Sequence, residues 1–180
     1  SEGAPVESLD PARKFHIPAK MVAAMNDERS LLQQASPGFL FRLITAQVRN
    51  ALMRETHCHA FYIDEDWVAE RKATADGVAY VSTNDCVVSE FCSLLNCDVA
   101  LMAINFRNKI DGCGDADVGN YEDLLAFTPR DYASPSLIRR SVTGPQYFRA
   151  SGAPLPTNLE HLSATYGAVT NWATFAKPLE

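Results

Sequence analysis

Four histidines, five cysteines and a run of acidic residues are the side chains of this 180-residue sequence whose types and spacing suggest chemistry. His57 and His59 stand two apart in HCHAFYI. On a strand alternate residues share a face, so both imidazoles would point one way and clamp a divalent cation, with Cys58 pointing the other. No third ligand stands at a matching spacing, and partly buried strand histidines account for the pair. Asp111, Asp115, Asp117 and Glu122 have the outline of a calcium loop with Glu122 in the last ligand place. Such a loop needs an oxygen ligand at its third position and glycine at its sixth. Cys113 and Ala116 stand there, and an apolar strand leads in where a helix should, so the segment reads as a solvated loop. Cys86, Cys92 and Cys97 are spaced unlike paired zinc ligands, and no motif supports a Cys–His nucleophile pair. No metal is expected.

The elements that would position these residues follow from periodicity and punctuation. Pro5, Pro11 and Pro18 mark residues 1–20 as an extended leader outside the core, and 20–34 are only weakly helical. Ser36-Pro37 is a cap followed by a residue that a first helical turn accepts. Leu40, Leu43, Ile44, Val48, Ala51 and Leu52 then recur at helical spacing. Residues 57–63 have the aromatic, β-branched character of a strand. Asp64 caps a helix through about Ala75, carrying Trp67, Val68 and Arg71. Ser82 starts the clearest helix, with Asp85 at its positive end and an apolar stripe of Val87, Val88, Phe91, Cys92 and Leu95. DVALMAINF (98–106) is a buried strand, 111–119 a loop, 121–127 a short strand, and Ser134-Pro135 the start of a short helix. Pro154 and Pro156 sit in a loop, and a last strand runs from Val169 to Phe175. The order implies an α/β or α+β fold, a mixed sheet flanked by helices. It divides the chain into a Pro-rich leader, 1–35, and a domain, 36–180.

Composition narrows the class. Apolar residues make up 47% and charged residues 21%, too apolar for a disordered tail. A net charge of −6 argues against nucleic acid, which needs a basic face. No apolar run has the length of a membrane span. Residues 1–50 carry five acids and six bases, and the remainder seventeen and ten, so a mildly basic lead precedes an acidic body. The odd cysteine count fits buried thiols better than a disulfide framework, which favours a reducing compartment. The chain begins at Ser1 without an initiator Met and reads as processed or trimmed.

A series of segments carries a resemblance. IDEDWVAERKA (Ile63–Ala73) is followed by VSTNDCVVSEF (Val81–Phe91), AINFR (Ala103–Arg107), VGNY (Val118–Tyr121) and AVTNW (Ala168–Trp172). In this order they resemble the later half of the HxxxD acyl-CoA-dependent acyltransferases, the superfamily of BAHD plant acyltransferases and chloramphenicol acetyltransferase. The resemblance implies one of two similar subdomains, with the active site in a tunnel between them. There the His of HxxxD is the general base that lets an alcohol or amine attack an acyl-CoA thioester. Four residues beyond the four histidines stand Lys20, Phe61, Ile63 and Thr165, none of them Asp, and DFGWG is absent. Chain order would put the first signature before this segment and the second after Glu180.

The resemblance further implies that Thr170 and Trp172 lie on a strand that helps to hold the oxyanion. It places Ser82, Thr83 and Asn84 near the acyl-CoA tunnel, and aligns Arg107 and Asn120 with the Asn-x-Arg and Gly-Asn sites. Capping alone would explain Ser82 and Asp85, and a salt bridge near a sheet edge Arg107. Ser89 departs from the small apolar residue common there. The expectation is a non-catalytic structural or assembly subunit packed on a partner protein that covers an apolar face left by the missing subdomain. The alternatives are one half of an acyl-CoA-dependent O- or N-acyltransferase, and a ligand-binding module that uses the residual tunnel.

Overall fold

The computed structural model describes residues 16–25, 37–53, 57–114, 117, 120–144 and 146–171. Its centre is the apolar run anticipated as a buried strand. β1 (Val99–Asn105) pairs antiparallel with β2 (Glu122–Phe127) and parallel with β3 (Tyr166–Val169), giving the order β2-β1-β3. Ala100 faces Phe127 and Met102 faces Leu125 in the antiparallel register. A central strand is covered on both faces, which is why it reads as continuous apolar sequence without alternation. Around the sheet stand α1 (Ile17–Ala24), α2 (Pro37–Met53), α3 (Glu65–Ala73), α4 (Thr83–Leu95) and α5 (Pro135–Val142), with a single 3-10 turn at Glu160–Leu162. The protein is mixed α/β, an α+β arrangement with a three-stranded mixed sheet.

The period-two alternation of the strands sorts the core into two parts. Ala100, Met102 and Ile104 of β1, with Leu125 and Phe127 of β2, face a large cluster that includes Val88, Cys92, Tyr132 and Ile138. Val99, Leu101 and Ala126 face the other way, against Phe39, Leu155 and Tyr166. No helix among the described residues is long and apolar enough to cross a membrane.

Helix starts follow the local chemistry. Asp64 accepts the Trp67 N–H at 3.0 Å to cap α3. Ser82 and Asp85 form a reciprocal capping box on α4: Ser82 Oγ accepts from the Asp85 N–H, and Asp85 Oδ2 from the Ser82 N–H at 2.6 Å. Ser134 caps α5, with Pro135 in its first turn. Ser36, the expected cap of α2, lies outside the described residues.

Several expectations are corrected. Residues 17–20, expected as extended leader, begin a helix that runs through the weakly helical stretch to Ala24, and Ile17, Met21 and Met25 are buried in the larger cluster. Pro18 sits in the first turn, where its missing N–H has no helical partner to lose. The division at 35/36 therefore cuts through one core. Residues 57–63 form no strand, and Phe61 and Tyr62 are fully exposed. Aromatic and β-branched composition makes a strand only where a sheet edge is available to pair with it.

α4 buries Asp85, Cys86, Val88, Ser89 and Cys92, while Phe91 and Leu95 of the expected stripe are exposed. Two polar residues face inward because both are satisfied there. Ser89 Oγ donates to the Tyr132 carbonyl at 2.7 Å, and Asp85 pairs with Arg139. β3 ends at Val169, where the last strand was expected to begin, and its Tyr166–Val169 pairs with Val99–Met102 of β1. Residues 172–175 of that expected strand lie outside the described residues. Finally, α2 forms as expected, but its apolar stripe faces solvent. Leu40, Phe41, Leu43, Ile44, Val48 and Leu52 are all exposed, and only Gly38 and Phe39 are buried.

Candidate functional site

β1 and β3 run the same way, β3 ending beside Met102 while β1 runs on to Asn105, and the first turn of α4, which precedes β1, stands at that same end. In open sheets the crevice beyond the carboxyl ends of parallel strands is where ligands collect, since the chain leaves the layer there and loops diverge. A cleft of about 340 Å³ occupies this place. Met102, Ala103, Ile104 and Asn105 of β1 form its floor, Val169, Thr170 and Asn171 one side, and Asn84 and Asp85 another. Arg139 and Val142 of α5, with Lys109 and Glu122, complete it.

The wall between α4 and α5 is tied by charge. Asp85, almost fully buried, accepts from Arg139 Nε at 2.8 Å and lies 2.5 Å from its Nη2 in an ion pair, while it also holds Ser82. The Arg139 guanidinium lies over the Tyr80 ring, 4.7 Å from its centroid, which leaves it little freedom. The pair is thus consumed in structure. Lys109 sits with its ammonium 5.7 Å from the Tyr147 ring centroid. It is exposed as a residue, yet enough protein surrounds its ammonium that desolvation, with the Arg139 charge second, lowers its pKa.

Of the residues singled out by resemblance, Asn84 and Thr170 line this one cleft. Ser82 does not, being spent on the cap. Thr83 lines a separate groove against α3, with Val68, Ala69 and Lys72. Arg107 lies elsewhere: its guanidinium donates to the Asp117 carbonyl at 3.3 Å and stacks 5.2 Å from the Tyr121 ring centroid. Asn120 is exposed and is not part of the cleft lining, and Trp172 lies outside the described residues. Asn105, Lys109 and Arg139 were missed, and Glu122 was weighed only as the last ligand of a calcium loop. Asn105 and Lys109 carried a signal, polar residues placed directly after a buried apolar strand. Arg139 carried none, since its role depends on Asp85 far away in sequence.

None of His16, His57, His59 and His161 lines the cleft. His161 is buried beside Phe39, hydrogen-bonded to the Tyr166 hydroxyl, and burial lowers its pKa. Among the described residues no three His, Cys, Asp or Glu side chains are grouped to hold a metal. All five cysteines are free; Cys58 is exposed and the other four are buried. Burial first, and neighbouring Cys97 second, push the Cys92 thiol up to about 12.

The class these features define is a mixed α/β domain with a polar-rimmed cleft at the ends of its parallel strands. Compared with protein-family models, curated proteins and solved structures, the chain has no match.

Proposed function

We propose that the chain is an acyltransferase-like domain acting as a structural or assembly subunit, packed on a partner protein through α2 and supplying no catalytic base itself. One observation carries this reading. α2 presents Leu40, Phe41, Ile44, Val48 and Leu52 to solvent, and over residues 47–53 every side chain is exposed. An apolar arc at helical spacing is the pattern of a helix packed against something, and a monomer rarely leaves such an arc uncovered. The test is size-exclusion chromatography with light scattering. The full chain alone should self-associate with rising concentration, and Ile44→Gln/Val48→Gln/Leu52→Gln should be monomeric. A wild-type chain that stays monomeric at high concentration overturns the reading.

The second reading, one half of an acyl-CoA-dependent O- or N-acyltransferase whose base stands elsewhere, is favoured by Asn84 and Thr170 lining one cleft. Acyl-CoA would then be co-substrate. Turnover by the assembled protein, abolished by substituting a histidine on the partner, would establish it over the scaffold reading.

A further inference from the structure

The cleft holds a set of donors that the fold itself does not use. Among the described residues no carboxylate pairs with the Lys109 ammonium, which stands over the Tyr147 ring. The Asn84 side chain makes no hydrogen bond with them either, and it is half-buried at the cleft wall. Asn105 uses its amide oxygen to accept the Arg107 N–H at 3.0 Å, which turns its NH2 group into a free donor. Thr170 brings an exposed hydroxyl from the end of β3. The Asp85 and Arg139 charges cancel within their ion pair. That leaves Lys109 as the unpaired cation of the cleft and Glu122, exposed, as its unpaired anion.

We propose that this cleft binds the phosphoryl group of a small anionic ligand, with Lys109 as counter-charge and the Asn84 amide, Asn105 amide and Thr170 hydroxyl as donors. The inference goes beyond the docking reading and does not depend on it, since none of these residues belongs to α2. The match is one of acceptor number. Four donor groups from three segments suit the three terminal oxygens of a phosphoryl group better than the two of a carboxylate. Lysine contributes a point charge of the kind that phosphate sites use. An anion beside Lys109 also offsets the partial desolvation of the ammonium, while Glu122 opposes it and caps the affinity.

Isothermal titration calorimetry of the full chain with inorganic pyrophosphate, and separately with acetate, tests this. The expected result is saturable pyrophosphate binding, tighter than acetate and weakened by added salt. Lys109→Gln should weaken it by about tenfold or more, as loss of a charge-assisted hydrogen bond does. Glu122→Gln should tighten it, and Asn84→Asp, remote from Tyr147 and compatible with a helix start, should abolish it. Opposite responses to two surface substitutions are not produced by a general loss of structure, and equal thermal midpoints confirm intact folds. No saturable binding, an unchanged Kd in Lys109→Gln, or weaker binding in Glu122→Gln overturns the proposal. Acetate as tight as pyrophosphate overturns its phosphoryl assignment.

Discussion

Replacing Asp85 by alanine removes the joint between α4 and α5. Asp85 is 1% exposed and takes three hydrogen bonds, from the Ser82 N–H and Oγ–H at 2.6 and 2.9 Å and from Arg139 Nε at 2.8 Å, with Arg139 Nη2 in ion-pair contact at 2.5 Å. Loss of a cap interaction costs about 1 kcal/mol. Removing one member of a buried ion pair costs about 3–5 kcal/mol, because the other charge stays buried without a partner. The Arg139 side chain is 17% exposed and keeps the Tyr80 ring, so the lower half of that range applies. The expected total is about 4 kcal/mol, a large share of the ~5–15 kcal/mol that holds a domain together. Urea denaturation followed by circular dichroism reads it as a lower midpoint at constant slope. Arg139→Met in the same background should restore part of the loss, by at least about 1.5 kcal/mol of coupling. A cost of Asp85→Ala below about 1 kcal/mol, or strict additivity of the two substitutions, would refute the reasoning.

Native protein treated with a thiol reagent should show one fast cysteine, Cys58, and four that react only on unfolding, since the rest are buried; a second fast thiol would contradict the packing around α4. Burial holds the His161 imidazole below its ordinary value of 6.5, so the unfolded chain takes up the proton first on acidification. The His161 contribution to stability is full above that value and is lost as pH falls below it. Urea midpoints at about pH 7.5 and 5.5 should show the drop, and His161→Gln should flatten it. Gly38→Ala would drive a Cβ into the Asn158 carbonyl oxygen, a backbone atom with no room to yield. It should destabilise by about 1–3 kcal/mol and loosen the seat of α2, read by the same urea melts.

How much was legible in the sequence divides along locality. The starts of α3, α4 and α5 are written in Asp64, Ser82 with Asp85, and Ser134-Pro135, because a cap is a bond across three residues. β1 is legible because a central strand must be apolar throughout. The buried face of α4 was not legible. Asp85 turns inward only because Arg139 arrives from α5, and Ser89 because the Tyr132 carbonyl stands there. The sheet edge that residues 57–63 lacked is likewise a tertiary fact, as is the register that ends β3 at Val169. Of the cleft, Asn84 and Thr170 were flagged by motif resemblance. Lys109 and Glu122 joined them only once β1 and β2 were in register, with Asn105 opposite Glu122.

The central claim is that the apolar arc of α2 belongs to an interface and not to this chain's own core. The equilibrium stability of Ile44→Gln/Val48→Gln/Leu52→Gln tests it most directly. Side chains 61%, 52% and 78% exposed contribute little to the folded monomer. At concentrations where the wild-type chain is monomeric, the account predicts an unfolding free energy within about 0.5 kcal/mol of wild type, as for surface positions. A loss of more than about 2 kcal/mol, the size of a core truncation, would contradict it.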